Sequence, residues 1–322
     1  MVRPSFSIKI DDKDLESQFL KKMGSISVVD EIDSISDSVH INFIDNEKNL
    51  AIPKSGVKLQ LSIGIDEKNV NIGTYVIDEV VLSPGDMSVS GKGFDTHANI
   101  KKIRSRNYPD DDLYNCIKYL AHENGLNGII SEKFRGIKIN IAHHAESDMH
   151  FITRLGKKHD AIFKIQDKNL MFSEKIRNKN SRNENIDTLN LSENEAISWN
   201  LQLSGRSIYR NVEAQVFNLD TGEKSKVSLG EGAPVLRLPG HYRTSEEALS
   251  DCKGFLRGEG YENKNISLEL PGNPEVKAGR QINLKNFRNG IDGVWLIKKV
   301  SHEINTHYTT RMDLIKYNNE VY

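Results

Sequence analysis

Cysteine is scarce in this sequence. Cys116 and Cys252 are the only two in 322 residues, too far apart for a disulfide framework or a metal-binding spacing. A stapled secreted scaffold is excluded, and synthesis in a reducing cytosol is expected. Long apolar runs are missing as well. No uncharged stretch approaches the ~20 residues that cross a bilayer, and the opening "MVRPSFSIKI" lacks the continuous apolar segment of a secretory signal. Neither sign of charge is in excess, with 44 Lys+Arg against 45 Asp+Glu, so no global field draws the chain to nucleic acid or to a membrane surface. Aromatics make up only 7%, and no cluster of the kind that forms a sugar platform stands out. What remains is a soluble globular composition, long enough for two or three domains.

The periodicity divides the chain. Residues 1–97 read as strands: "VKLQLSIGI" places Val57, Leu59, Leu61, Ile63 and Ile65 on one face, and "VHINFI" alternates through Val39, Ile41 and Phe43. Turn signals between them predict a closed or sandwiched antiparallel sheet. Residues 98–180 read as a small helix-containing module. After "NYPDD" the residues Leu113, Cys116, Ile117, Leu120 and Ala121 recur at helical spacing before Gly125, so Cys116 is a core thiol. The tract "EKIRNKNSRNENIDT" has no period, and a polar linker is predicted over 181–194. Strands return over 195–322, with Ile197, Trp199, Leu201 and Leu203 alternating. One helix is predicted inside that region near 244–258, from a Thr244/Glu247 capping box and an apolar stripe of Ala248, Leu249, Cys252, Phe255 and Leu256. The fold class is β-rich α+β, two β-domains flanking a small α/β module. No internal repeat is evident from the residues alone.

The stretch with most chemistry is "HHAESDMH", residues 143–150, whose residue types bind zinc or activate water. Strand alternation sends His143 to the face of Ile137, Ile139 and Ile141 and His144 to the other. Ser147 stands at a helix N-cap and Asp148 at the first helical position, where the dipole favours an acid. On the following helix Met149, Ile152, Leu155, Gly156 and His159 share one face, while His150, Thr153, Arg154 and Lys157 face solvent. The histidines diverge, and a capped strand-turn-helix outweighs a metal site; no zincin spacing is present. "GKG" at 91–93 and "GEG" at 230–232 and 258–260 are too short for phosphate loops. "DEIDSISD", with Asp30, Glu31, Asp33 and Asp37, lacks the Gly and closing Glu of a calcium loop and reads as a solvated strand-edge loop. There is no Gly-x-Ser-x-Gly elbow. Trp199 and Trp295 fall in strand patterns as core or interface anchors.

"AESDMHFITRLGKKHDAIFKIQDKNLMF" resembles the late control protein D family of contractile-tailed phages, whose relatives include the hub portions of type VI secretion spike proteins. The signature is carried by Glu146, Ser147, Asp148, Phe151, Ile152, Arg154 and Leu155, with Gly156 for the usual Ala and Asp160 for the usual Gly. "GKGFDTHANIKKIRSRNY", "LPGNPEVKAGRQINL" with Gly272, and "GVWLIKKVSHEI" with His302, followed by "YTTRMDLI", resemble further family segments in the same order over 5–316; Ala278 stands where Pro is common. The resemblance implies a baseplate hub: two tail-tube-like β-barrels per chain and no catalysis, cofactor or metal of its own. It also implies assembly as a homotrimer between the sixfold tail tube protein, the trimeric spike and other baseplate proteins. Stable nucleic-acid binding and membrane insertion are not expected, and the destination is a virion or tail-like particle. Two alternatives stay open. One is a metal or wall hydrolase using His143, Glu146 and His150; the other is a carbohydrate-binding tail-fibre module.

Overall fold

The structure is a computed structural model that describes residues 3–15, 17–32, 35–93, 99–108, 112–139, 142–159, 161–166, 168–174, 188–203, 209–217, 222–242, 244–260 and 264–316. Residues 94–98, most of the polar tract (175–187), Ile141 and Asp160 lie outside them, as does the side chain of Glu247. No described helix is long and apolar enough to cross a membrane.

The first region contains β1 (Pro4–Ile10), β2 (Lys13–Asp14), α1 (Ser17–Lys21), β3 (Met23–Glu31), β4 (Ser38–Ile44), β5 (Lys58–Ile65), β6 (Lys68–Ser83) and β7 (Asp86–Lys92). Alternation decides which face is buried. In β5 the residues Leu59, Leu61 and Ile63 are at most 2% exposed, and they meet Ile41, Tyr75, Met87 and Val89 in one core. The middle module holds β8 (Ile103–Arg106), α2 (Leu113–Glu123), β9 (Asn127–Ile130), β10 (His143–Ser147), α3 (Asp148–Lys158), β11 (Ala161–Gln166) and β12 (Asn169–Glu174). Cys116, Leu120, Phe151, Leu155 and Phe172 lie in its own core. Next come β13 (Leu189–Ser192) and β14 (Ser198–Leu203), so the last part of the predicted linker is a strand rather than free chain. It pairs in parallel with a later strand, Gln281–Lys285.

The predicted helix near 244–258 is not a lone insertion on the second sheet. Strands β15 (Asn211–Phe217), β16 (Lys224–Gly230) and β17 (Val235–Tyr242) form a separate three-stranded sheet, and α4 (Ser245–Gly260) packs on it through Ala248, Cys252 and Leu256. The sequence reading missed this unit because β16 (KSKVSLG) is mostly polar and exposed, which leaves little apolar alternation to read. The chain closes with β18 (Lys264–Pro271), β19 (Gln281–Lys285), β20 (Gly293–Ile304) and β21 (Tyr308–Ile315) around fully buried Trp295.

The two β-regions are not separate. One 13-stranded sheet runs β14-β18-β21-β20-β3-β4-β7-β6-β5-β1-β2, with β19 and β13 attached beside β20. Among the described residues this path is open at both ends, where closed or sandwiched sheets were expected. It joins the regions by antiparallel pairing of β3 with β20, Ile26 opposite Ile304 and Val28 opposite His302.

Each region also repeats the other. The order β3-β4-β7-β6-β5-β1 recurs as β14-β18-β21-β20-β19-β13, element for element in chain order. Register agrees in detail. Gly56 and Gly279, both at positive φ (88° and 81°), donate N–H bonds of 2.8 Å to Ile77 and Ile297. Bulges fall between Ile77 and Glu79 and between Ile297 and Lys299. Tyr75 and Trp295 thereby occupy the same position. The last pair differs: β1 is antiparallel to β5, whereas β13 is parallel to β19.

Leu203 and Lys264 are cross-strand partners, so everything between them is an insertion at a hairpin tip. Replacing 204–263 by an Asn-Gly turn should leave a single cooperative urea transition and remove α4's helical signal from far-UV circular dichroism. Loss of cooperative unfolding would show that the insertion is integral to the core.

A buried charge junction and the signature segment as candidate functional site

β3 alternates Ile26, Val28, Asp30 toward the interior, so a carboxylate stands where an apolar residue is the rule. Lys164, on β11, reaches it across the module boundary and ion-pairs both Asp30 and Asp37. The second region closes the site: the Ala278 N–H donates to Asp30 Oδ2 at 2.9 Å. The Ile165 N–H donates to the Ile35 carbonyl at 2.7 Å. Ile32, Ile162, Leu296 and Ile315 seal the flank. The acidic segment read as a solvated loop is therefore, at Asp30 and Asp37, an inward-facing clamp; Asp33 lies outside the described residues. No local signal pairs a lysine with an acid 134 residues away.

Two carboxylates share one ammonium here. Burial alone would raise the Asp30 carboxyl, but the charge and hydrogen bond of Lys164 outweigh it and hold Asp30 below its ordinary range. Asp37 goes the other way. Burial, together with repulsion from Asp30, overcomes Lys164 and pushes it up to about 7. Burial opposes the charge on Lys164 too, yet both acids keep it raised.

The signature segment forms a second buried polar knot. Ser147 is extended (φ −78°, ψ 153°) and its Oγ accepts from the His150 N–H at 3.1 Å, capping α3. Asp148 does more than complement the dipole. It is fully buried, accepts from Asn124 Nδ2 at 2.9 Å, and stands 3.2 Å from Arg106 Nε, which also pairs Glu123. Arg154, expected to face solvent, turns back onto Glu146 and the Ala142 carbonyl. Burial would raise the Glu146 carboxyl, but Arg154 holds it low. Phe151, absent from the predicted buried face, lies 4.5 Å from the His143 ring and parallel to it; Leu155 is fully buried beside them.

The histidines diverge. His143 is buried, its Nε2 3.0 Å from the Glu146 carbonyl and its Nδ1 facing Tyr108 Oη. A carbonyl only accepts, so Nε2 carries the proton, and in neutral imidazole Nδ1 then accepts from the phenol. His144 turns outward to Ser105 Oγ at 3.2 Å, and His150 Nδ1 sits 2.8 Å from Glu146. A bulge with Ala145 at φ 50° separates them. Among the described residues no three His, Cys, Asp or Glu side chains are gathered to hold a metal ion.

The other two signature residues both pack against Tyr308. Gly272 lies under the Tyr308 ring, where a Cβ would come within 2.1 Å of it. The Tyr308 hydroxyl lies 2.9 Å from His302 Nδ1, with Thr310 Oγ1 3.2 Å from the same nitrogen. Burial pushes His302 down to about 4, so the knot is neutral.

The junction makes stability pH-dependent. The Asp37 contribution is fully present below its unfolded value near 3.8 and is lost as pH rises through about 7. That of Asp30 has the opposite sign and is lost only in stronger acid. Urea unfolding should show the Asp37-dependent part of wild-type stability falling between about pH 5 and about pH 7.5 and levelling off above it, and Asp37→Asn should flatten that window. An equal slope in the variant would exclude Asp37 as the group responsible. In the signature helix, Ser147→Ala should cost about 1 kcal/mol, whereas Leu155→Ala should cost about 2–5 kcal/mol. Thermal melts that rank His150→Ala above Leu155→Ala in damage would contradict the packing described.

No family model matches the chain. In sequence it is similar to probable baseplate hub proteins of Escherichia phages 186 and P2. Identity is 21% in each case, over 98% and 97% of this chain and 95% and 92% of theirs. In structure it is similar to the 43 kDa tail protein of prophage MuSo2 from Shewanella oneidensis, with a TM-score of 0.73, 13% identity, and coverage of 97% of this chain and 98% of that one. The resemblance read from the residues thus runs along the whole chain, which is similar to the baseplate hub proteins of P2-like phages and carries the fold of a phage tail protein.

Proposed function

We infer that this protein is a structural baseplate hub of a contractile phage tail or tail-like particle, adapting a sixfold tail tube to a trimeric spike. The full-length likeness to baseplate hub proteins carries the reading. The repeated strand order supports its finer part, since each chain offers two similar β-units. Three chains then present six units to the tube and keep threefold symmetry for the spike. The middle module and the 211–260 insertion, which have no counterparts in the other half among the described residues, mark the places where sixfold likeness drops to threefold. Each half is long enough to complete a tube-like barrel once neighbouring strands close it.

The polar knots serve this role without catalysis. The His143 proton is committed to a backbone carbonyl, and burial raises the Tyr108 phenol well above its ordinary value, so neither is poised to act as a base or nucleophile. A near-neutral chain also suits a ring through which DNA passes without sticking. Synthesis in the bacterial cytoplasm and incorporation into the baseplate complete the reading.

Cryo-electron microscopy of intact tails should find three copies in one ring between tube and spike. Six copies would overturn the symmetry argument. Release of peptidoglycan fragments by the purified chain, or stoichiometric zinc lost in His143→Ala, would favour the hydrolase instead.

A further inference from the structure

The repeat carries one consequence for surfaces that the single chain leaves uncovered. β3 is hydrogen-bonded along its outer edge to β20. Its counterpart β14 pairs only with β18, so its outer edge is open among the described residues. The counterpart of β20 is β6. Its first half is covered by β5 as far as Val76, and β7 covers the opposite edge to Ser83. Beyond Ile77 the edge that β20 gives to β3 has no strand on it among the described residues. The chain therefore carries one used and one unused copy of the same pairing.

The unused edges are apolar where the used ones are buried. Leu82 is 56% exposed, whereas its counterpart His302 is 3% exposed in the internal pairing. Leu203 is 64% exposed, whereas its counterpart Asp30 lies inside the junction. Monomeric proteins blunt open edges with charge, proline or cover. Here Val80, Val81 and Leu82, between Asp78–Glu79 and Pro84, leave an uncharged apolar run on one edge, and Leu201 and Leu203 do so on the other.

We propose that the open edge of β14 in one copy pairs antiparallel with residues 78–83 of β6 in a second copy of this chain, in the register of the internal β3·β20 pairing. Transferring that register sets Val80 opposite Leu203, Val81 opposite Gln202, Leu82 opposite Leu201 and Ser83 opposite Asn200. Val80, Leu82, Leu201 and Leu203 then share the interior face, continuous with both cores. Each copy offers one edge of each kind, so the contact is head-to-tail, and it closes as a ring of three when the rotation it imposes is threefold. The proposal rests on the ring reading above and supplies its contact residues.

Cysteine pairs test the register. Directly opposed residues of an antiparallel pair lie about 4.5–5.5 Å apart at Cα, within disulfide reach. The double variant Leu82→Cys/Leu201→Cys should form interchain disulfides up to a closed trimer on mild oxidation. Leu82→Cys/Gln202→Cys, which places the thiols on opposite faces, should not. The native Cys116 and Cys252 are both buried and give little background. Adding Leu203→Lys to the matched pair should abolish the crosslink while leaving the monomer's urea transition unchanged, since Leu203 is exposed there. Equal crosslinking in both pairs, or none in the matched pair, overturns the proposal. If microscopy finds a three-copy ring and the matched pair stays unlinked, the edge pairing fails and the hub reading stands. If the pair links but no such ring exists in tails, the hub reading fails and the edge pairing stands.

Discussion

The pairing of β3 with β20 is the constraint on which the rest of this structure depends. It hydrogen-bonds two regions that begin and end the chain, and it converts two half-sheets into one with a continuous core face. The pairing is pinned at one end by charge. Asp30 projects from the last inward position of β3 and is met by Lys164 from the middle module and by the Ala278 amide from the second region. All three parts of the chain therefore converge on one carboxylate. A buried ion pair of this kind adds little net stability over an apolar core of the same shape. Removing one partner strands the others, however, so the arrangement specifies a single relative placement of the parts.

Asp37 gives the junction a further property. A second carboxylate near one ammonium leaves the site with an excess negative charge that a proton relieves close to neutrality. The other two knots behave differently. His302 is driven neutral by burial among Tyr308 and Thr310, and His143 is held in one tautomer by a carbonyl.

Duplication explains the economy of the design. A single strand order is used twice, and its two copies are told apart by what is inserted between equivalent strands. The 211–260 unit grows from the β14–β18 tip, whereas the equivalent connection between β3 and β4 is the short segment bearing Asp37. One copy of the connection thus carries an added domain and the other carries the charge clamp. Conserved geometry at Gly56 and Gly279 shows that the repeat is a matter of register, while the side chains around it have diverged from Tyr75 to Trp295 and from Asp78 to Lys298.

That divergence separates what was legible in the sequence from what was not. Alternation of apolar residues placed most strands of both β-regions, helical spacing placed α2 and α3, and Ser147 could be read as a cap because a hydroxyl three residues before an orphan amide is a local signal. The order of family-like segments carried the resemblance. Periodicity states which face of a strand is buried but not against what, so the joining of the two regions into one sheet was invisible. So was the inward turn of Asp30 and Asp37, since an acid in a polar segment looks solvated until a lysine from a distant strand is brought beside it. Arg154 and Asp148 escaped for the same reason: their partners Glu146 and Arg106 are chosen by packing rather than spacing along one helix face. The repeat left almost no residue identities behind, only strand order, two positive-φ glycines and two bulges, which are backbone facts. Local chemistry determined the elements and their caps; long-range hydrogen bonding and burial of charge, which act only after the chain has closed on itself, decided how they are joined.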